Sequence, residues 1–154
     1  MLHFTPPMPT GHETLAAGDV VSFRFPSAER PHALTKARPC LVLAVEDRLD
    51  GPYALLAYGT ARFTRANRGY EIALMDDAKR RAAGVVRPMR FVCARRVWAS
   101  LNDPRFSTGR DRETPRLGQL DGTARADLAD ILAALPRHEG RIPAFNQPAK
   151  RTLP

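Results

Sequence analysis

A chain of 154 residues that is 44% apolar is long enough for one domain with its own core. Its net charge of +8 and pI near 10.5 favour a polyanionic partner, nucleic acid ahead of membrane, because each phosphate neutralised releases counterions; a merely basic surface is the rival reading. No window reaches the roughly 18 apolar residues of a membrane span, and the start lacks the basic-then-apolar order of a leader, so the chain is expected to be cytoplasmic.

In chain order, residues 1–17 hold three prolines and no apolar period, and are expected to form a tail. Gly18-Asp19 is a turn signal, and Val20 to Phe25 follows as a strand with Val21, Phe23 and Phe25 on one face. Pro26 ends it, and residues 27–37 have the composition of a loop. Lys36 to Val45, KARPCLVLAV, is the organising stretch: Pro39 fixes its own φ and pushes Arg38 into an extended conformation, so the arginine stands at the mouth of the strand. Cys40 to Val45 has the length and β-branched content of a strand buried on both faces. Asp47 to Pro52 is a polar turn, and Tyr53 to Tyr58 is the next strand, closed by Gly59-Thr60. Ala61 to Arg68 is a basic loop with Arg62, Thr64, Arg65 and Arg68. Gly69 to Leu74 is a further strand, and Asp76 to Ala83 is a short helix capped by Asp76 and stopped by Gly84. Arg87-Pro88 repeats the Arg-Pro punctuation before a strand from Arg90 to Trp98, where Phe91 and Trp98 are expected in the core or at a dimer interface, with base stacking as the rival reading.

Residues 102–116 are polar and arginine-rich and are expected to be a loop inserted in the domain. Leu120 to Leu135 is the one long helix, capped by Asp121 or Thr123, with Leu128, Ile131, Leu132 and Leu135 on one stripe and Pro136 as its stop. Residues 137–154 are expected to be a second tail. Short strands without alternating helices predict a mainly β domain over 18–136, a small antiparallel barrel with a C-terminal helix.

The sequence has no phosphate-binding glycine loop, no zinc-type spacing and no Ser-His-Asp signature, so neither a metal nor another cofactor is expected. The two cysteines, Cys40 and Cys93, lie in apolar strands and are expected to be reduced packing residues. What recurs is arginine at strand ends with hydroxyls nearby: Arg38, Thr60, Arg62, Thr64, Arg87 and Arg90. Such a set suits a phosphodiester, since a guanidinium fork pairs two phosphate oxygens and a hydroxyl holds a third. Metal-free RNA cleavage asks for little more: an oriented ribose 2′-hydroxyl, stabilised charge on phosphorus, and two proton movements. The bland alternatives are Arg38 paired with Asp19, Thr60 as a turn residue, and Arg62, Arg65 and Arg68 as a solvated face.

GDVVSFRFP, ARPCLVLAV, YALLAYGTAR, GVVRP and LGQLDGTARADLADIL, in that order, resemble the PemK/MazF-type toxins of toxin-antitoxin modules. The resemblance spans roughly residues 18–135. It implies an SH3-like barrel, a homodimer, single-stranded RNA as substrate, a cognate antitoxin as partner, and metal-independent endoribonuclease activity leaving a cyclic phosphate and a 5′-hydroxyl. By the same resemblance Arg38 is a phosphate ligand, Thr60 a substrate-orienting donor, and Arg87 an acid and anion stabiliser. His32, six residues before Arg38, is a candidate proton acceptor. Arg62, Thr64, Arg65, Arg68 and Arg90 would hold RNA phosphates. Two positions depart from the family pattern: Met89 stands where a PemK-type aspartate serves as base, and Ala61 where a second Thr or Ser would be. His32, or a displaced acid such as Asp19 or Glu29, would then take the proton. The alternatives are a relative that binds RNA or an antitoxin without cutting, and an SH3-like interaction module.

Overall fold

The computed structural model describes residues 15–27, 29–30, 32–62 and 69–136. Six antiparallel strands, β1 (Asp19–Phe23), β2 (Arg38–Arg48), β3 (Gly51–Thr60), β4 (Glu71–Leu74), β5 (Met89–Ser100) and β6 (Arg116–Gln119), form one sheet in the order β4-β5-β3-β2-β1-β6. Helix α1 (Asp77–Ala83) joins β4 to β5, and α2 (Gly122–Ala134) follows β6. The expected mainly β small barrel with a C-terminal helix is what the chain adopts, as a curled half-barrel. Among the described residues no helix is long and apolar enough to cross a membrane.

The central strands are buried on both faces, as the apolar run of β2 requires. Leu41, Leu43, Leu55 and Ala57 pack on one side with Phe91, Trp98 and Leu128; Cys40, Val42, Ala54 and Leu56 pack on the other with Val21, Phe23 and Phe25. Each fully buried large apolar side chain contributes on the order of 1.5–3 kcal/mol, and it is this double layer that organises the domain. Leu15 is also buried in the second layer, and Asp19 accepts a hydrogen bond from the Ala16 amide at 2.9 Å, so these two residues, expected to belong to a tail, pack with the domain.

The curl is closed where α1 packs on β6 and α2 on β4. Glycine is required on both sides of the first seam. A Cβ at Gly84 would lie 2.1 Å from the Leu117 carbonyl oxygen, and one at Gly118 would lie 2.3 Å from that of Ala82. Helix α2 is capped by Asp121, whose side chain accepts from the Ala124 amide. Its packed face comprises Ala124, Leu128, Ile131 and Leu135, while Leu132, expected on that stripe, is exposed.

Strand β6 lies at the end of the region expected to be a loop. RLGQ carries no strand signal of its own, and β1 templates it through a pairing interrupted between Val20 and Val21. The preceding segment is also tied to β1: the Ser22 amide donates to the Pro115 carbonyl, the Ser107 amide to that of Ser22, and the Phe106 ring meets Phe23 edge-on at 4.8 Å. Residues 102–115 therefore cover the second apolar layer instead of hanging from the domain.

Cys40 and Cys93 are free and buried, and burial pushes each thiol up to about 12. Both thiols stay protonated in the fold and ionise near 9 once it opens. Their contribution to stability is thus complete below pH 9 and is lost as pH rises towards 12. Neither thiol is expected to react with an aromatic disulfide reagent at pH 8 in the folded protein, and both are expected to react in denaturant. Alkaline melts should show a shallower loss of stability above pH 9 for Cys40→Ala than for the wild type.

Candidate functional site

Three segments converge on one cleft of about 440 Å³: Lys36, Ala37, Arg38 and Pro39 at the entry to β2; Gly59, Thr60 and Ala61 at the end of β3; and Val85, Val86, Arg87 and Met89 ahead of and into β5. Three of the expected site residues, Arg38, Thr60 and Arg87, thus line the same cavity. So does Lys36, and no carboxylate is among the described lining residues. A concave site with three cations and no anion raises the local concentration of anions.

Local chemistry sets each wall. Pro39 lacks an N–H, and the β2–β3 pairing ends at Leu41 opposite Ala57, so the two backbones diverge from regular pairing at the mouth. Arg38 is half-buried there; its Nη1 donates to the Tyr58 hydroxyl at 3.2 Å and to the Gly59 carbonyl at 3.4 Å, and its guanidinium carbon lies 5.1 Å from the Tyr58 ring centre. These contacts steady one edge of a planar fork. The buried Thr60 accepts the Arg62 amide at 3.0 Å, which leaves its own O–H to donate.

Arg87 is exposed and follows the C-cap of α1, where Gly84 adopts φ +74° and the Val85 amide returns to the Arg80 carbonyl. The Arg80 guanidinium also donates to the Val86 carbonyl at 3.1 Å, so the short helix fixes the segment that carries Arg87.

Arg90 is placed otherwise than expected of an RNA ligand. It is 3% exposed, opposite Thr60 on β3 and Ala73 on β4. Its guanidinium pairs with Glu71 at 2.7 Å and donates to the Arg62 carbonyl at 3.2 and 3.4 Å. It is a strut behind the cleft: it holds the carbonyl of the residue whose amide Thr60 holds. The first five residues of β5 are all buried, so no alternation marks Arg90 as interior.

His32 is exposed in the loop before β2 and is not among the residues lining the cleft. Asp19, the alternative partner of Arg38, is buried and pairs instead with Arg116 at 3.3 Å. Glu29 is exposed in the same loop as His32. Met89 is 3% exposed and sits at the cleft as an apolar lining residue. Arg62 is exposed and adjoins the cleft through its backbone bond to Thr60. Thr64, Arg65 and Arg68 lie outside the described residues. Lys36 is not among the expected site residues, although an extended chain sets it two positions from Arg38 and hence on the same side.

No protein-family model matches the chain, and no curated protein matches it.

Proposed function

We propose that the cleft grips the phosphodiester of single-stranded RNA and that the chain is a PemK/MazF-like endoribonuclease that acts without metal. The observation that carries this reading is the meeting of Arg38, Thr60, Arg87 and Lys36 around one cavity with no carboxylate among the described residues of its lining. In the proposed reaction the ribose 2′-oxygen attacks phosphorus, the bond to the 5′-oxygen breaks, and the products are a 2′,3′-cyclic phosphate and a 5′-hydroxyl. Arg38 and Arg87 stabilise the charge that grows on the phosphoryl oxygens, and the Thr60 hydroxyl orients the group through a third hydrogen bond. Among the described residues no carboxylate or imidazole lines the cleft, so in this reading the proton from the 2′-hydroxyl passes to water; the 5′-oxygen takes its proton from solvent. A positioned base contributes typically about 10²–10⁴-fold, so the enzyme is a slow one.

Met89 favours a second reading. With an apolar side chain buried where the resembled family carries an aspartate, the chain would retain RNA or an antitoxin without cutting.

Purified protein incubated with a long mixed-sequence RNA in EDTA separates these readings. Cleavage unaffected by chelation and by His32→Ala, with 5′-hydroxyl products, is expected. Its rate should climb with pH between 6 and 9 without a plateau, because none of the described cleft residues is a base that saturates in that range. RNA retained uncut supports the second reading, and no affinity for RNA leaves an interaction module.

A further inference from the structure

Strand β5 carries a feature that the phosphate grip does not use. Its pairing with β3 jumps from Arg96 opposite Ala57 to Val92 opposite Tyr58, so Cys93, Ala94 and Arg95 face no residue of β3. Bulges of this kind re-aim a side chain out of strand alternation. Here the result is that the Arg95 guanidinium lies 3.9 Å from the centre of the Tyr58 ring and 5.4 Å from that of Phe25, with its Nη2 donating to the Pro26 carbonyl at 3.4 Å. Phe25, buried, meets Tyr58 edge-on at 5.2 Å and stiffens the ring from beneath. Tyr58 is also the residue that accepts from Arg38, so the stack begins at the wall of the cleft. Both Tyr58 and Arg95 are half-buried and keep part of their surface in solvent.

A planar cation already held over an aromatic ring offers an unpaired base a pre-ordered partner, and RNA-binding proteins stack bases on arginine planes as well as on aromatic rings. We infer that Arg95, supported by Tyr58, is a stacking platform for one unpaired nucleobase of an RNA whose adjoining phosphate sits in the Arg38–Thr60–Arg87 cleft. This rests on the proposed RNA reading and adds to it a base-contacting position, which gives the preference for single strands a physical cause. Arg95 is a binding residue in this account, and Tyr58 positions both it and Arg38.

The test compares binding of a short 2′-O-methyl oligoribonucleotide, which lacks the attacking hydroxyl, with binding of the same strand carrying abasic sites. Wild type, Arg95→Ala, Arg95→Lys and Arg87→Ala are measured at one salt concentration, with melting curves for each variant. Stacking on a side chain typically changes affinity by about fivefold to 100-fold per base, so both Arg95 variants should bind the intact strand more weakly by that factor. Both should match the wild type more nearly on the abasic strand, because lysine keeps the charge and loses the plane. Arg95→Lys binding both strands as the wild type does would overturn the platform. Loss of affinity in Arg87→Ala alongside that result would leave the phosphate grip standing, whereas no change in any variant would remove both.

Discussion

Arg38→Ala is expected to slow RNA cleavage by about 10²–10³-fold, the usual cost of removing one preorganised donor from a site where charge develops. The side chain is half-buried at the rim of β2, where its guanidinium donates to the Tyr58 hydroxyl and the Gly59 carbonyl and fills no place in the apolar layers itself. Its loss should therefore leave the melting temperature close to that of the wild type. Arg38→Lys should recover only part of the rate: an ammonium supplies charge, but it cannot bond Tyr58 along one edge while presenting two donors to phosphate. Single-turnover cleavage with a melting curve for each variant checks this. A rate in Arg38→Ala equal to the wild type would remove the arginine from the chemistry.

The second large effect is on the wall itself. A Cβ at Gly59 would lie 2.0 Å from the Pro39 carbonyl oxygen and 2.7 Å from the Met89 methyl. Met89 can rotate aside, but a backbone carbonyl in β2 moves only with its strand. Overpacking typically costs about 1–3 kcal/mol, and the rigid partner puts Gly59→Ala at or above the top of that range. That is a large share of the roughly 5–15 kcal/mol that holds a domain together. Because both clashing groups line the cleft, cleavage should fall with stability. Gly122→Ala is the matched control: nothing lies within 4 Å of its Cβ, so stability should be unchanged or slightly raised. Denaturant melts of the two variants make the comparison, and a Gly59→Ala protein as stable as the control would mean that the mouth of the cleft is looser than described.

These two residues also show what the sequence made legible. Arg38 could be set at a strand mouth because proline constrains the residue before it, and Gly59-Thr60 could be set at a strand end because glycine interrupts an apolar run. Both constraints are local, so they survive without knowledge of the fold. Arg90 could not be read that way. Its burial depends on β4 and β3 lying on either side of it, and a cation beside other cations reads as surface until Glu71 is seen to pair with it. β6 was hidden for a related reason: RLGQ becomes a strand only because β1 offers an edge. Arg95 acts through a bulge, a change of register that no alternation pattern announces. His32 matches an expected spacing from Arg38, yet it is exposed and is not among the described residues that line the cleft, so spacing along a loop does not by itself place a side chain.

The account stands on cations from separate segments meeting one phosphate. The salt dependence of binding to a 2′-O-methyl single-stranded RNA tests that claim without requiring turnover. On single strands each neutralised phosphate contributes about 0.7 to the slope of log affinity against log salt. Arg38→Ala, Arg87→Ala and Lys36→Ala are each predicted to make the slope shallower by about that amount, by similar measures on unrelated sequences. Slopes that stay at the wild-type value in all three variants would contradict it.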